Sequence, residues 1–82
     1  MTREEVYVKL TGIFRDIFDD EDLTISDVTT ANDIEDWDSL EQINIIVATE
    51  NEFGITLNIA EINAMKNVGG FVDIILRKVT EK

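Results

Sequence analysis

The chain contains no cysteine, no histidine and no proline. The lack of cysteine removes disulfides and thiolate metal sites. Lacking both His and Cys, it is without the commonest general base, the commonest metal ligand and the best thiol nucleophile. The sequence therefore predicts no metal centre and no self-sufficient enzyme, although carboxylate chemistry stays open. Without proline, the turns must rest on Gly, Asn and Asp. Basic residues are absent from the whole middle of the chain: Arg3, Lys9 and Arg15 form one block, Lys66, Arg77, Lys78 and Lys82 the other. Long apolar runs are absent too. The longest is Ile45-Ile46-Val47-Ala48, far short of the ~20 residues of a membrane span. Met1-Thr2-Arg3-Glu4-Glu5 leads into no apolar segment of signal-peptide type, so the expectation is a cytoplasmic protein with no membrane insertion.

What is present is acid. Eighteen Asp and Glu against seven Lys and Arg give a net charge of -11. Most of the acids fill the gap between Arg15 and Lys66, including Asp19-Asp20-Glu21-Asp22 and Asp33, Glu35, Asp36, Asp38 and Glu41. Such a field repels nucleic acid and anionic lipid and steers basic protein surfaces toward it; the plainer reading is that it keeps a small protein soluble. Eighty-two residues make a single domain, 1–82, and a chain this short buries only about 60% of its unfolded surface.

The apolar spacing predicts helices. In residues 2–18, Thr2 and Glu5 have capping-box spacing, and Val6, Leu10, Ile13, Phe14 and Ile17 make one face. Residues 19–37 break the pattern and predict a long ordered loop pinned by Leu23, Ile25, Val28 and Ile34; loops of this length are uncommon unless functional. Its acids do not alternate as calcium ligands do and no Gly occupies the turn, so it is not an EF-hand, and its charge leaves only weak surface binding of divalent ions. Residues 39–53 predict a second helix with Leu40, Ile43, Ile46, Val47 and Phe53 down one side, Ile45 broadening that side and Thr49 largely elsewhere, stopped by Gly54. Asn58 starts a short helix to residue 65 with Ile59, Ile62 and Met65 inward. Asn67 starts a last helix to about residue 79, with Phe71, Val72, Ile75, Leu76 and Val79 buried. No run alternates as a strand pair would. The fold class is all-α: a small bundle of three main helices and one short one, with a long loop between the first and second.

The stretch Asp36-Trp37-Asp38-Ser39-Leu40-Glu41-Gln42 organises the rest. Two capping schemes compete. Asp38 with Glu41 three residues on makes one box, which leaves the Ser39 hydroxyl spare at the positive end of a helix, where a phosphate is favoured. Ser39 with Gln42 makes the other, and then Ser39 is only a cap.

With Asp38-Ser39-Leu40 opening a helix after a long acidic loop and Phe53-Gly54-Ile55 closing it, the chain resembles an acyl carrier protein over essentially its full length. The triplet alone is weak; its placement before Glu41 and Glu50-Asn51-Glu52-Phe53 in a small acidic chain gives it weight. The resemblance implies that Ser39 receives 4′-phosphopantetheine from coenzyme A through a separate magnesium-dependent phosphopantetheinyl transferase. The thiol of that arm then holds acyl groups as thioesters for acyl-transferring and ketosynthase-type enzymes of fatty-acid, polyketide or related biosynthesis. It implies a carrier, not an enzyme, working as a monomer. Family members present the second helix to basic patches on those enzymes; the matching positions are Asp38, Leu40, Glu41, Val47, Ala48, Glu50 and Glu52, with a solvated face as the plainer reading of Glu50 and Glu52. Leu40, Ile46, Ile62, Met65 and Val72 read first as core; in the family, such residues also line an acyl-chain cavity, here Ile46, Ile62, Met65 and Val72. Asp36 stands where the family often has Gly, followed by Trp37, which either shields the loop end, touches partners or packs in the core. Asn44 stands where the family often has an acid. These departures suggest a specialised carrier. A D-alanyl or aminoacyl carrier is a variant of this reading; an acidic helical interaction adaptor, with Ser39 only a helix cap, is the alternative outside it.

Overall fold

A computed structural model describes residues 1–81. Helix α1 spans Arg3–Phe18, α2 Ser39–Phe53, α3 Ile59–Ala64 and α4 Val68–Glu81. Among the described residues there is no strand.

The helix ends follow from the capping residues. The Glu5 N–H donates to Thr2 Oγ1 at 3.1 Å and the Thr2 N–H donates to Glu5 Oε1 at 2.9 Å, the reciprocal box that Thr2 and Glu5 predict. The Thr2 backbone N–H, joined by the Thr2 hydroxyl, holds the Glu5 carboxyl below its ordinary pKa. Helix α2 ends at Gly54, whose φ of 64° is left-handed backbone that glycine adopts without a Cβ penalty. Asn58 Oδ1 accepts the Ala60 N–H at 2.8 Å to start α3, and Asn67 Oδ1 accepts the Gly70 N–H at 2.9 Å to start α4.

The core joins all four helices. Val6, Leu10, Ile13 and Phe14 of α1 meet Ile45, Ile46 and Phe53 of α2, Ile62 of α3 and Val68, Phe71, Val72 and Ile75 of α4, with Ile34 and Leu57 added by the connections. Helix α1 packs on both α2 and α4. Each such side chain, once buried, contributes about 1.5–3 kcal/mol before entropy is charged against it.

The loop 19–38 is tied down at three places. Arg15 Nε donates to the Leu23 carbonyl at 2.8 Å. A single 3₁₀ turn, Ala31–Asp33, is closed by the Thr30 N–H donating to Asp33 Oδ2 at 2.9 Å; its polar sequence carries no helical periodicity and did not announce it. The third tie is to α4. The Val68 N–H donates to the Thr29 carbonyl at 2.8 Å and the Gly69 N–H to the Asp27 carbonyl at 3.1 Å, so the loop satisfies two donors that a helix start leaves orphaned. Beside this contact Arg3 bridges Asp27 at 2.6 Å and Asp73 at 2.5 Å, and the Tyr7 hydroxyl donates to Asp27. The Tyr7 and Arg3 hydrogen bonds hold the Asp27 carboxyl below the usual range. Burial, reinforced by Asp27, pushes the Tyr7 phenol up to about 12.

Four expectations about faces are corrected. The single apolar side of α2 is split: Leu40, Ile43 and Val47 are 65%, 55% and 50% exposed, while the helix buries Ile45, Ile46, Thr49 and Phe53. Thr49, expected largely off the apolar side, is fully buried, and its Oγ1 has no hydrogen-bond partner among the described residues. Ile59 is 62% exposed, since only Ile62 of the short α3 turns fully inward. Val28 is exposed, because the loop docks on α4 through its backbone at Asp27 and Thr29 while Leu23, Ile25 and Ile34 supply the apolar anchors.

Candidate functional site at the start of α2

The capping question is settled by two hydrogen bonds. Asp38 has extended backbone, and its Oδ1 accepts the Glu41 N–H at 2.9 Å while its carbonyl accepts the Gln42 N–H at 2.9 Å. Gln42, the partner that a Ser39 cap would need, is engaged elsewhere: its Oε1 accepts the Trp37 indole N–H at 2.6 Å. The Trp37 ring is held edge-on to Phe14, with centroids 5.2 Å apart at 86°. Of the three roles open to Trp37, packing against the core is the one observed. Asp38 is the N-cap and Ser39 the first helical residue. The Glu41 carboxylate does not return to Asp38; it accepts from Asn44 Nδ2 at 2.9 Å.

Ser39 is exposed. Its hydroxyl has no hydrogen-bond partner among the described residues. The surroundings are acidic: Glu35, Asp36, Asp38 and Glu41 line a cleft of about 430 Å³ with Asp19, Ile17 and Phe18. Among the described residues no group of three His, Cys, Asp or Glu side chains is placed to hold a metal.

Two further cavities share Gln42 and Asn63, and one of them reaches the serine. One, of about 280 Å³, is lined by Ser39, Gln42, Ile43, Ile46, Ile59 and Asn63, between α2 and α3. The other, of about 200 Å³, lies under the 3₁₀ turn and contains Trp37, Gln42, Ile62, Asn63 and Met65, with Lys66 and Asn67.

No family model matches the chain. It is similar to the acyl carrier protein of Petrotoga mobilis, 34% identical over 80 residues that cover 96% of this chain and 93% of that protein. It is also similar to the solution NMR structure of holo acyl carrier protein from Geobacter metallireducens. That match has a TM-score of 0.86 at 38% identity and covers 93% of this chain and 87% of the other. The chain belongs to the acyl carrier protein family. The helical bundle is this family's fold, and its function is that of a carrier.

Within this acyl carrier protein the residues singled out by sequence fall into groups. Asp38 and Glu41 stand in the first turn of α2 beside Ser39. Leu40 and Val47 are exposed along the same helix, joined by Ile43 and by Ile59 of α3, neither of which the sequence assigned to partner contact. Ala48 is half-buried against the core. Glu50 is half-buried and its Oε2 accepts the Leu57 N–H at 2.9 Å, while Glu52 pairs with Lys9 at 3.1 Å. Of the four residues assigned to a chain cavity, Ile46 lines the cavity that Ser39 lines, Ile62 and Met65 line the other, and Val72 is wholly buried in the core outside both linings. Gln42 entered the sequence reading only as a capping partner for Ser39, and Asn63, a polar residue on a helix, not at all. The five-residue Trp–Gln spacing that brings indole to carboxamide follows no helical rule, because Trp37 precedes the helix.

Proposed function

We propose that Ser39 is the attachment point of 4′-phosphopantetheine, installed from coenzyme A by a separate phosphopantetheinyl transferase, and that the chain is a carrier without catalytic activity of its own. The observation that supports this is the free, exposed Ser39 hydroxyl on the first residue of α2, relieved of capping by Asp38. The residues present fit a phosphodiester there. The N–H groups of Ser39 and Leu40 take no acceptor among the described residues, and a helix N-terminus favours a phosphate. When bound, the group supplies a terminal thiol that holds acyl cargo as a thioester.

The chain's own residues then serve recognition. Asp38 and Glu41 bring negative charge to the approach to Ser39, and Leu40, Ile43 and Val47 add apolar contact along α2. This combination suits transferases, acyl-transferring enzymes and ketosynthases with basic docking patches, and disfavours nucleic acid. Exposed ion pairs are worth about 0–1 kcal/mol each, so such complexes form quickly, weaken with salt and release. We place the carrier in the cytoplasm as a monomer serving fatty-acid, polyketide or related synthesis; no helix among the described residues is long and apolar enough to cross a membrane.

Intact mass spectrometry after co-expression with a phosphopantetheinyl transferase tests the reading. A gain of about 340 Da, the mass of the arm, is expected for wild type and not for Ser39→Ala. An unmodified wild type, or an equal gain in the variant, overturns it.

A further inference from the structure

We propose that the hydrogen bond between Trp37 and Gln42 is a partition that sets how long an acyl chain this carrier can fold against itself. The proposal rests on Ser39 as the attachment point. Its basis is the way the two cavities share their walls. Ser39 lines the nearer one, of about 280 Å³, whose floor is Ile43, Ile46 and Ile59. Ile62, Met65 and Trp37 give the farther one, of about 200 Å³, its apolar surface. Only Gln42 and Asn63 line both. The wall between the two spaces is therefore a pair of carboxamides.

The two halves of that wall differ. Asn63 is exposed and its side chain has no partner among the described residues. Gln42 is half-buried and fixed: its Oε1 accepts the Trp37 indole N–H at 2.6 Å, and the indole is braced edge-on against Phe14, itself fully buried in the core. A chain tethered at Ser39 enters the nearer cavity first, where Ile43, Ile46 and Ile59 are the apolar contacts. To go farther it must push aside Gln42 and strand a partly buried indole N–H, which apolar methylenes cannot satisfy. The occupant is thus a saturated chain short enough to stop at Gln42. An amide held by a ring, rather than an apolar side chain in the floor, fixes the limit.

The test uses the full chain loaded at Ser39 by the transferase with hydrolysis-resistant, amide-linked saturated acyl-pantetheine analogues of increasing length. Loading is verified by intact mass before anything else is read. For wild type, the rise in Tm over the unacylated form should grow with chain length and then stop. Gln42→Ala removes the wall, so its plateau should come later by about six methylenes, taking ~30 Å³ for each, close to a water's share of liquid volume. Gln42→Leu keeps the bulk but removes the acceptor, so its plateau should also come later than in wild type; a plateau where wild type stops would assign the limit to bulk alone and overturn the partition. Trp37 is the only tryptophan, so its emission should change with the longer chains in Gln42→Ala and stay constant in wild type. A plateau at the same length in wild type and Gln42→Ala, or no rise in Tm for any chain, overturns the partition while leaving the attachment at Ser39 intact. Failure of wild type to gain the arm's mass overturns the attachment and the partition with it.

Discussion

The docking of the loop on α4 makes a sharp prediction at Gly69. A Cβ added there would lie 2.8 Å from the Asp27 carbonyl oxygen, 3.0 Å from Asp27 Cβ and 3.1 Å from Asp27 Cα. Two of these atoms are backbone, so nothing can swing aside and the loop must lift. Lifting strains the hydrogen bonds from Val68 and Gly69 to Thr29 and Asp27 and disturbs the Arg3 bridge. Overpacking of this kind costs about 1–3 kcal/mol, and each weakened hydrogen bond up to about 1 more. Alanine's better helix propensity offsets at most about 1 kcal/mol. Gly69→Ala should therefore lose about 1–3 kcal/mol. At about 4–8 °C per kcal/mol for a domain of this size, Tm falls by roughly 5–20 °C. Gly12, exposed in α1, is the control: no atom outside its own turn lies within 4 Å of an added Cβ, and Gly12→Ala should gain about 0.5–1 kcal/mol. Thermal melts of the two variants followed by circular dichroism should move in opposite directions. A Gly69→Ala protein as stable as wild type refutes the close docking of the loop.

Thr49→Val should stabilise the fold by about 1 kcal/mol in urea titration, because it removes a buried hydroxyl with no partner at nearly constant shape. Asp38→Ala should cost about 0.5–2 kcal/mol by the same measurement, the loss of an N-cap; an unchanged midpoint would return the capping role to Ser39. The Asp27 carboxyl is held low in the folded state by Tyr7 and Arg3, so its contribution is present above the unfolded value near 3.9 and is lost as pH falls below that through the folded value. Wild type should thus exceed Asp27→Asn in stability at neutral pH, with the gap narrowing below about pH 4; a gap constant down to about pH 2 contradicts the assignment.

Much of the fold could be read from the chain, because its signals are local. Thr2 with Glu5, Asn58, Gly54 and the Val6–Leu10–Phe14 stripe each act within one or two turns, and the helices they predict match within about two residues. Helix α2 shows where such reading stops. Its apolar residues form two stripes, Leu40–Ile43–Val47 and Ile45–Ile46–Phe53, both at helical spacing; periodicity cannot tell which one faces α1, and Thr49 in the buried stripe disguised it. The loop's anchoring was only half legible for the same reason. Leu23, Ile25 and Ile34 announce themselves as apolar, whereas the backbone contact of Asp27 and Thr29 with α4 has no side-chain signature. At the site, Ser39 was found by type and position. Which residue caps the helix is shown by Asp38 accepting the Glu41 N–H, while Gln42 is held by Trp37, which packs on Phe14 more than twenty positions upstream.

Arg3 grips Asp73 across 70 positions of sequence, and it takes hold of Asp27 on the way. Such a fastener closes a ring that holds nearly the whole chain, and closing so large a ring is entropically costly until the helices inside it have already met. It should snap shut last in refolding and come undone first in unfolding. Weakening it would hasten departure from the native state while leaving the speed of arrival almost unchanged.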